Sequence, residues 1–94
     1  MSTTSLNNDL INFLKQNKTI KQLSVEGHTD SDGSTKRNQK LSIDRAMAAK
    51  KYLVKNGISG AMVSVIGYGE DRPIASNNNE IGKESNRRVE FVIK

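Results

Sequence analysis

Nine consecutive residues, EGHTDSDGS from Glu26 to Ser34, hold the chain's only histidine, three acidic side chains, two glycines and three hydroxyl groups. Such residues serve metal ions, proton transfer or ligand capture, and spacing separates the three. A calcium loop opening at Asp30 would put Asp32 third and Ser34 fifth. It would then need glycine sixth and glutamate twelfth, where the chain has Thr35 and Leu41. A zinc site begun by His28 and Asp30 finds no second histidine and no cysteine. As a general base, His28 has acids nearby but no nucleophile motif to serve. A ring hydrogen-bonding the loop backbone at a strand end is the simpler reading. No metal site, cofactor or catalytic residue is therefore expected.

Binding is the remaining chemistry. A loop that enters a helix exposes unpaired N–H groups and a partial positive charge. Asp30 and Asp32 add negative charge to the same loop. A site with both signs suits a zwitterion, its ammonium on the aspartate and its carboxylate on the donors or an arginine. Arg45 is the candidate arginine, because it lies off the apolar stripe of its helix. The plain alternative is that Asp30 caps a turn and Arg45 is a solvated surface charge. NRRVEF poses a similar choice. Arg87 and Arg88 alternate faces on a strand, so one turns toward the helical side or the sheet rim. An arginine there pairs with a carboxylate such as Glu84 or Glu90, or holds an anionic ligand with two parallel N–H bonds.

These side chains need elements to place them. SLNNDLINFLKQN puts Leu6, Leu10, Phe13 and Leu14 at helical spacing, with Ile11 beside them, and predicts a helix over about 6–16. Ile20, Leu23 and Val25 precede Gly27 and predict a strand over 21–27. HTDSDGS is then a strand-to-helix loop. From Thr35 the longest helical pattern runs to Asn56-Gly57, with Leu41, Ala46, Ala49 and Leu53 as its core stripe and Ile43, Met47 and Val54 flanking it. AMVSVIGYG predicts a second strand over 62–67. Residues 70–86 read as a long polar loop. RRVEFVIK is the third strand, with Val89, Phe91 and Ile93 on one side. Nothing marks a crossover helix between the second and third strands, so those two are expected to run antiparallel.

The whole is one small domain of 94 residues with a hydrophobic fraction of 34%. A chain this short buries about two thirds of its unfolded surface, so the core must be thin: one sheet covered by helices on one face. The net charge of +5 favours anionic partners. Nucleic acid is not favoured, because the basic residues are scattered and only two Phe and two Tyr are present. No segment approaches the roughly 20 apolar residues of a membrane span, and the N-terminus lacks a signal core. Either the protein is cytosolic or a targeting segment has been removed.

Taken together, VEGHTDSDGS, NQKLSIDRA, YLVKNGI, VIGYGEDRPIASN and GKESNRRVEF resemble the OmpA-like peptidoglycan-binding domain, in the family's order, over about 20–93. The resemblance implies an α+β two-layer sandwich with a mixed βαβαββ sheet, helices on one face and no catalysis. It implies a grip on the peptidoglycan stem peptide through diaminopimelate. Carried over by position, Asp30 meets the ligand ammonium and Arg45 its carboxylate. Thr29, Asn38 and Leu41 become pocket-wall residues. Arg88 becomes a further ligand contact, supported by Asn86 and Arg87. The implied location is the periplasm of a Gram-negative-type bacterium, associated with the outer membrane through an upstream anchor.

One departure stands out. The family's first strand has no counterpart in MSTTSLNN, so the last strand is expected at a sheet edge, open to a homodimer or leaving a less stable fold. A wall hydrolase using His28 or Asp30 is a competing function. An interaction module in an envelope, secretion or flagellar assembly is another, compatible with wall binding.

Overall fold

The computed structural model describes residues 8–94. The expected helix start at Leu6 and the expected absence of a strand before it fall outside these residues. Helix α1 spans Asn8–Gln16, strand β1 Leu23–Gly27, helix α2 Thr35–Lys55, strand β2 Val63–Gly67, helix α3 Glu80–Asn86 and strand β3 Val89–Ile93. The described sheet has the order β2-β1-β3. β2 runs parallel to β1, whereas β3 runs antiparallel to it. β2 and β3 therefore do point in opposite directions, but they flank β1 rather than pairing with each other.

Every residue of β1 is buried, as the central position demands. Leu23, Val25 and Gly27 face the helices, because side chains alternate along a strand. Gly27 faces α2 at a point where no side chain fits: a Cβ there would lie 1.9 Å from the Ser42 carbonyl oxygen. Phe91, Leu53, Val25 and Ala46 fill the core between sheet and helices. Complete burial of residues such as Phe91 and Leu53 stabilises by about 1.5–3 kcal/mol each.

The α2 stripe differs from the expected one. Its buried residues are Asn38, Ser42, Ala46, Ala49 and Leu53, and Leu41 is displaced toward a cavity. The stripe turns polar at its N-terminal end because it meets loop backbone there. The Ser42 hydroxyl donates to the Gln39 carbonyl at 2.7 Å and accepts from the Gly69 N–H at 2.9 Å. The helix ends in a Schellman motif: Ile58 N–H reaches the Leu53 carbonyl and Gly57 N–H the Val54 carbonyl. Gly57 sits at φ 95°, where a side chain would be strained.

In α1, Leu10, Ile11 and Leu14 are buried, whereas Phe13 is 41% exposed. At about 100° per residue, Phe13 falls on the flank away from Ile11. The expected polar loop over 70–86 contains α3, capped by Asn79, whose side-chain oxygen accepts from Gly82 N–H at 2.7 Å. Ile81, the one large apolar residue of α3, is 81% exposed, so no apolar stripe announces this helix. The third strand begins at Val89 rather than Arg87. Arg87 is the C-terminal cap of α3 and Arg88 bridges helix and strand.

Candidate functional site

The β1–α2 loop descends from the C-terminal end of the central strand and is held from three sides. His28 N–H bonds the Arg88 carbonyl, Thr29 N–H bonds the Gly69 carbonyl, and Asn38 Nδ2 donates to the Asp30 carbonyl at 3.3 Å. The Thr29 hydroxyl donates to that same carbonyl at 2.8 Å. Ser34 caps α2, its hydroxyl accepting from Arg37 N–H at 3.1 Å. The loop thus presents side chains from a fixed backbone.

A cavity of about 240 Å³ opens at this point, lined by Thr29, Asp30, Asp32, Arg37, Asn38, Leu41, Arg45 and Arg87. Six of the eight residues carried over by resemblance meet here: Asp30, Arg45, Thr29, Asn38, Leu41 and Arg87. Asp30 is 7% exposed at the cavity wall. Its Oδ2 accepts from Arg87 Nη1 at 2.8 Å and its Oδ1 from Asp32 N–H at 3.0 Å. Asp30 therefore both caps a turn and lines the cavity, so the two readings of that residue are compatible. Arg45 is not a free surface charge. Its Nη1 donates to the His28 carbonyl at 3.0 Å, which aims the guanidinium along the cavity wall.

Burial pushes the Asp30 carboxyl up. The Asp32 N–H, the Arg87 guanidinium and the nearby Lys83 outweigh it, and the net result lies below the ordinary carboxylate value. Asp30 is thus an anion ready for a cationic partner. Arg87 is raised, first by Glu80, to which its Nη2 donates at 2.7 Å, and then by Asp30.

Arg88 and Asn86, expected as a ligand contact and its support, do not line this cavity. Arg88 lies on the opposite face of the sheet. Its Nε donates to Glu90 Oε2 at 2.6 Å and its Nη2 to the Arg72 carbonyl at 2.8 Å. Arg87 and Arg88 are neighbours and turn to opposite faces; Arg87 takes the cavity. Asn86 is fully buried. Its Oδ1 accepts from the N–H groups of Ile74 and Ala75, and its Nδ2 donates to the Ala75 carbonyl and to Asn77 Oδ1. It is a strut for the 74–77 loop, and Asn77 in turn accepts from Ser31 N–H at 3.3 Å. Arg37 was missed, and Asp32, read as adding charge to the loop, also proves to line the cavity. Their place at the mouth of the α2 N-terminus was the available signal.

Beyond the cavity, a shallower groove of about 490 Å³ continues along α2, sharing Arg37 and Leu41 and adding Ser34, Lys36, Lys40 and Asp44. No described helix is long and apolar enough to cross a membrane.

A two-layer α+β domain with an acid and several guanidinium groups around one cavity is the class that fold and site define. The chain belongs to the OmpA family, whose sequence pattern matches residues 2–87. It is 47% identical to outer membrane porin F of Pseudomonas aeruginosa over 92% of this chain and 25% of that protein. It is 44% identical to the peptidoglycan-associated lipoprotein of Pseudomonas putida over 71% of this chain and 40% of that protein. The chain therefore spans less than half the length of these relatives. The crystal structure of the peptidoglycan-associated lipoprotein from Burkholderia pseudomallei superposes with a TM-score of 0.85 at 26% identity, covering 92% of this chain and 72% of that one.

Proposed function

We propose that this domain binds peptidoglycan without catalysis, holding the diaminopimelate residue of the stem peptide and tethering an envelope protein to the cell wall. The observation that carries the reading is the meeting of Asp30 and Arg45 on one cavity wall. Asp30 takes the ligand's ammonium, and Arg45 takes the carboxylate on the same carbon with the N–H groups not used by His28. Arg87 holds the Asp30 carboxylate in place and lends a second positive charge. Thr29, Asn38 and Leu41 shape the wall. The groove along α2 leaves room for the rest of the stem peptide. The match to proteins named for peptidoglycan association and to an outer-membrane porin supports this reading and a place in the bacterial envelope, facing the periplasm.

The test is co-sedimentation with purified peptidoglycan sacculi. The wild-type domain is expected in the pellet, and Asp30→Ala and Arg45→Ala in the supernatant with unchanged circular dichroism. Pelleting of both variants would refute the site.

A second reading rests on β3, which among the described strands pairs only with β1. Its outer edge offers main-chain hydrogen bonds to another strand, here a second copy of the domain. Sedimentation equilibrium is expected to show concentration-dependent dimers; a monomer at every concentration contradicts this reading and leaves wall binding untouched.

A further inference from the structure

The sheet face opposite α2 carries a second polar cluster that the binding cavity does not use. Glu26 on β1 stands directly across from Glu90 on β3. His28 follows Glu26 by two positions and projects from the same face. One ligand atom from each of the three lies within 4.8 Å of the others.

Like charges opposed across a strand pair repel. Arg88 answers Glu90, its Nε 2.6 Å from Oε2, and it is further engaged by the Arg72 and Asn86 carbonyls. A second guanidinium, Arg72, lies nearby on the Tyr68 ring. Glu26 accepts from the Ser24 hydroxyl at 3.0 Å, a neutral donor. His28 is 2% exposed, and neither ring nitrogen has a hydrogen-bond partner. Its Nε2 faces Glu90 Oε2 at 3.5 Å. Tyr68 stacks on the ring at 5.3 Å, and Arg72 covers Tyr68, which keeps the imidazole in place. Unpaired ring nitrogens and two carboxylates face one point.

We propose that Glu26, His28 and Glu90 form a binding site for a divalent transition-metal ion, with zinc the best match. Nitrogen with two carboxylate oxygens is a zinc donor set, whereas calcium and magnesium call for oxygen alone. Zinc holds its ligands at about 2.0–2.2 Å. Ligands at that distance sit closer together than the present span of up to 4.8 Å, so the ion draws the carboxylates toward the fixed ring, and water completes the coordination at the half-buried Glu90. Ser24 and Arg88 each donate to one oxygen of a carboxylate and so orient it, as outer partners of metal ligands do, which leaves Glu90 Oε1 free for the ion. The ion ties the β3 edge to the central strand. This departs from the expectation of no metal site at His28: sequence spacing offers no second histidine or cysteine, and Glu90 joins His28 only through strand pairing.

The single histidine makes the test direct. Chelator-treated, nitrogen-15-labelled protein is titrated with zinc chloride while the ring nitrogens of His28 are observed by NMR. Expected is a ring nitrogen moving to the metal-bound position and saturating at one equivalent, with magnesium producing no shift. Glu26→Gln and Glu90→Gln should each weaken zinc binding at least tenfold while retaining a folded amide spectrum. Ring nitrogens unmoved at saturating zinc would overturn the site. So would a folded Glu26→Gln protein that binds zinc as tightly as wild type. The wild-type ring signal decides the matter even if a variant does not fold.

Discussion

Asp30 and Arg87 are 57 positions apart in the chain, yet Asp30 Oδ2 and Arg87 Nη1 lie 2.8 Å apart at the wall of the cavity. One comes from the loop after the central strand, the other from the end of α3. Together with the Asp32 N–H, the pair holds the Asp30 carboxyl below its ordinary value against the effect of burial. It also links the cavity to the 70–86 segment, since Arg87 is positioned by α3.

The first prediction concerns pH. Asp30 is held below its ordinary value of 3.8 in the folded protein. A depressed carboxyl stabilises the fold fully above that value, and the contribution disappears as pH falls through the folded value. Urea unfolding of wild type and Asp30→Asn should therefore show a gap at neutral pH that closes below pH 3.8. A gap independent of pH would mean that Asp30 contributes by packing rather than by charge.

The second separates the two adjacent arginines. Arg88→Ala leaves the half-buried Glu90 without its cation and should destabilise by about 2 kcal/mol or more. Arg87→Ala leaves Asp30 the Asp32 N–H as a partner and should lower the melting temperature less than Arg88→Ala does, while weakening sacculus binding. Thermal melts read beside co-sedimentation would show the split. Equal effects of both variants on both readouts would contradict the assignment of opposite faces.

The third concerns Gly27. An alanine there would set its Cβ 1.9 Å from the Ser42 carbonyl, and backbone cannot rotate away as a side chain can. The Gly27→Ala variant should lose about 3 kcal/mol in chemical denaturation. Because α2 must then lift from β1, Arg45 should move relative to Asp30 and binding should fall as well. A stability change under about 0.5 kcal/mol would show that the contact yields easily.

How much of this was legible in the sequence depends on the element. β1, α2 and β2 were readable, because apolar spacing, Asn56-Gly57 and Gly67 mark their limits clearly. α3 was not, because its one large apolar residue, Ile81, points to solvent and its stability comes from the Asn79 cap and the Arg87 contacts. The α2 stripe was misplaced at Leu41, since Asn38 and Ser42 are polar yet buried against loop backbone, and hydrophobicity alone cannot find such positions. Asp30 and Arg45 were found from charge logic together with family resemblance. The arginine at the cavity was half found. Strand alternation separates Arg87 from Arg88, but which of the two faces the cavity depends on where α3 ends.

The central claim is that the cavity holds an ammonium and a carboxylate borne on one carbon. Lysine in place of diaminopimelate keeps the ammonium and lacks that carboxylate. The decisive measurement is an NMR titration with two soluble stem peptides differing only in diaminopimelate or lysine. The diaminopimelate peptide should shift amide signals across Thr29–Asp32, Asn38–Arg45 and Arg87, and the lysine peptide should bind about 10- to 100-fold more weakly, the worth of one charge-assisted contact. Equal affinity for the two peptides, or shifts that avoid Asp30 and Arg45, would contradict it.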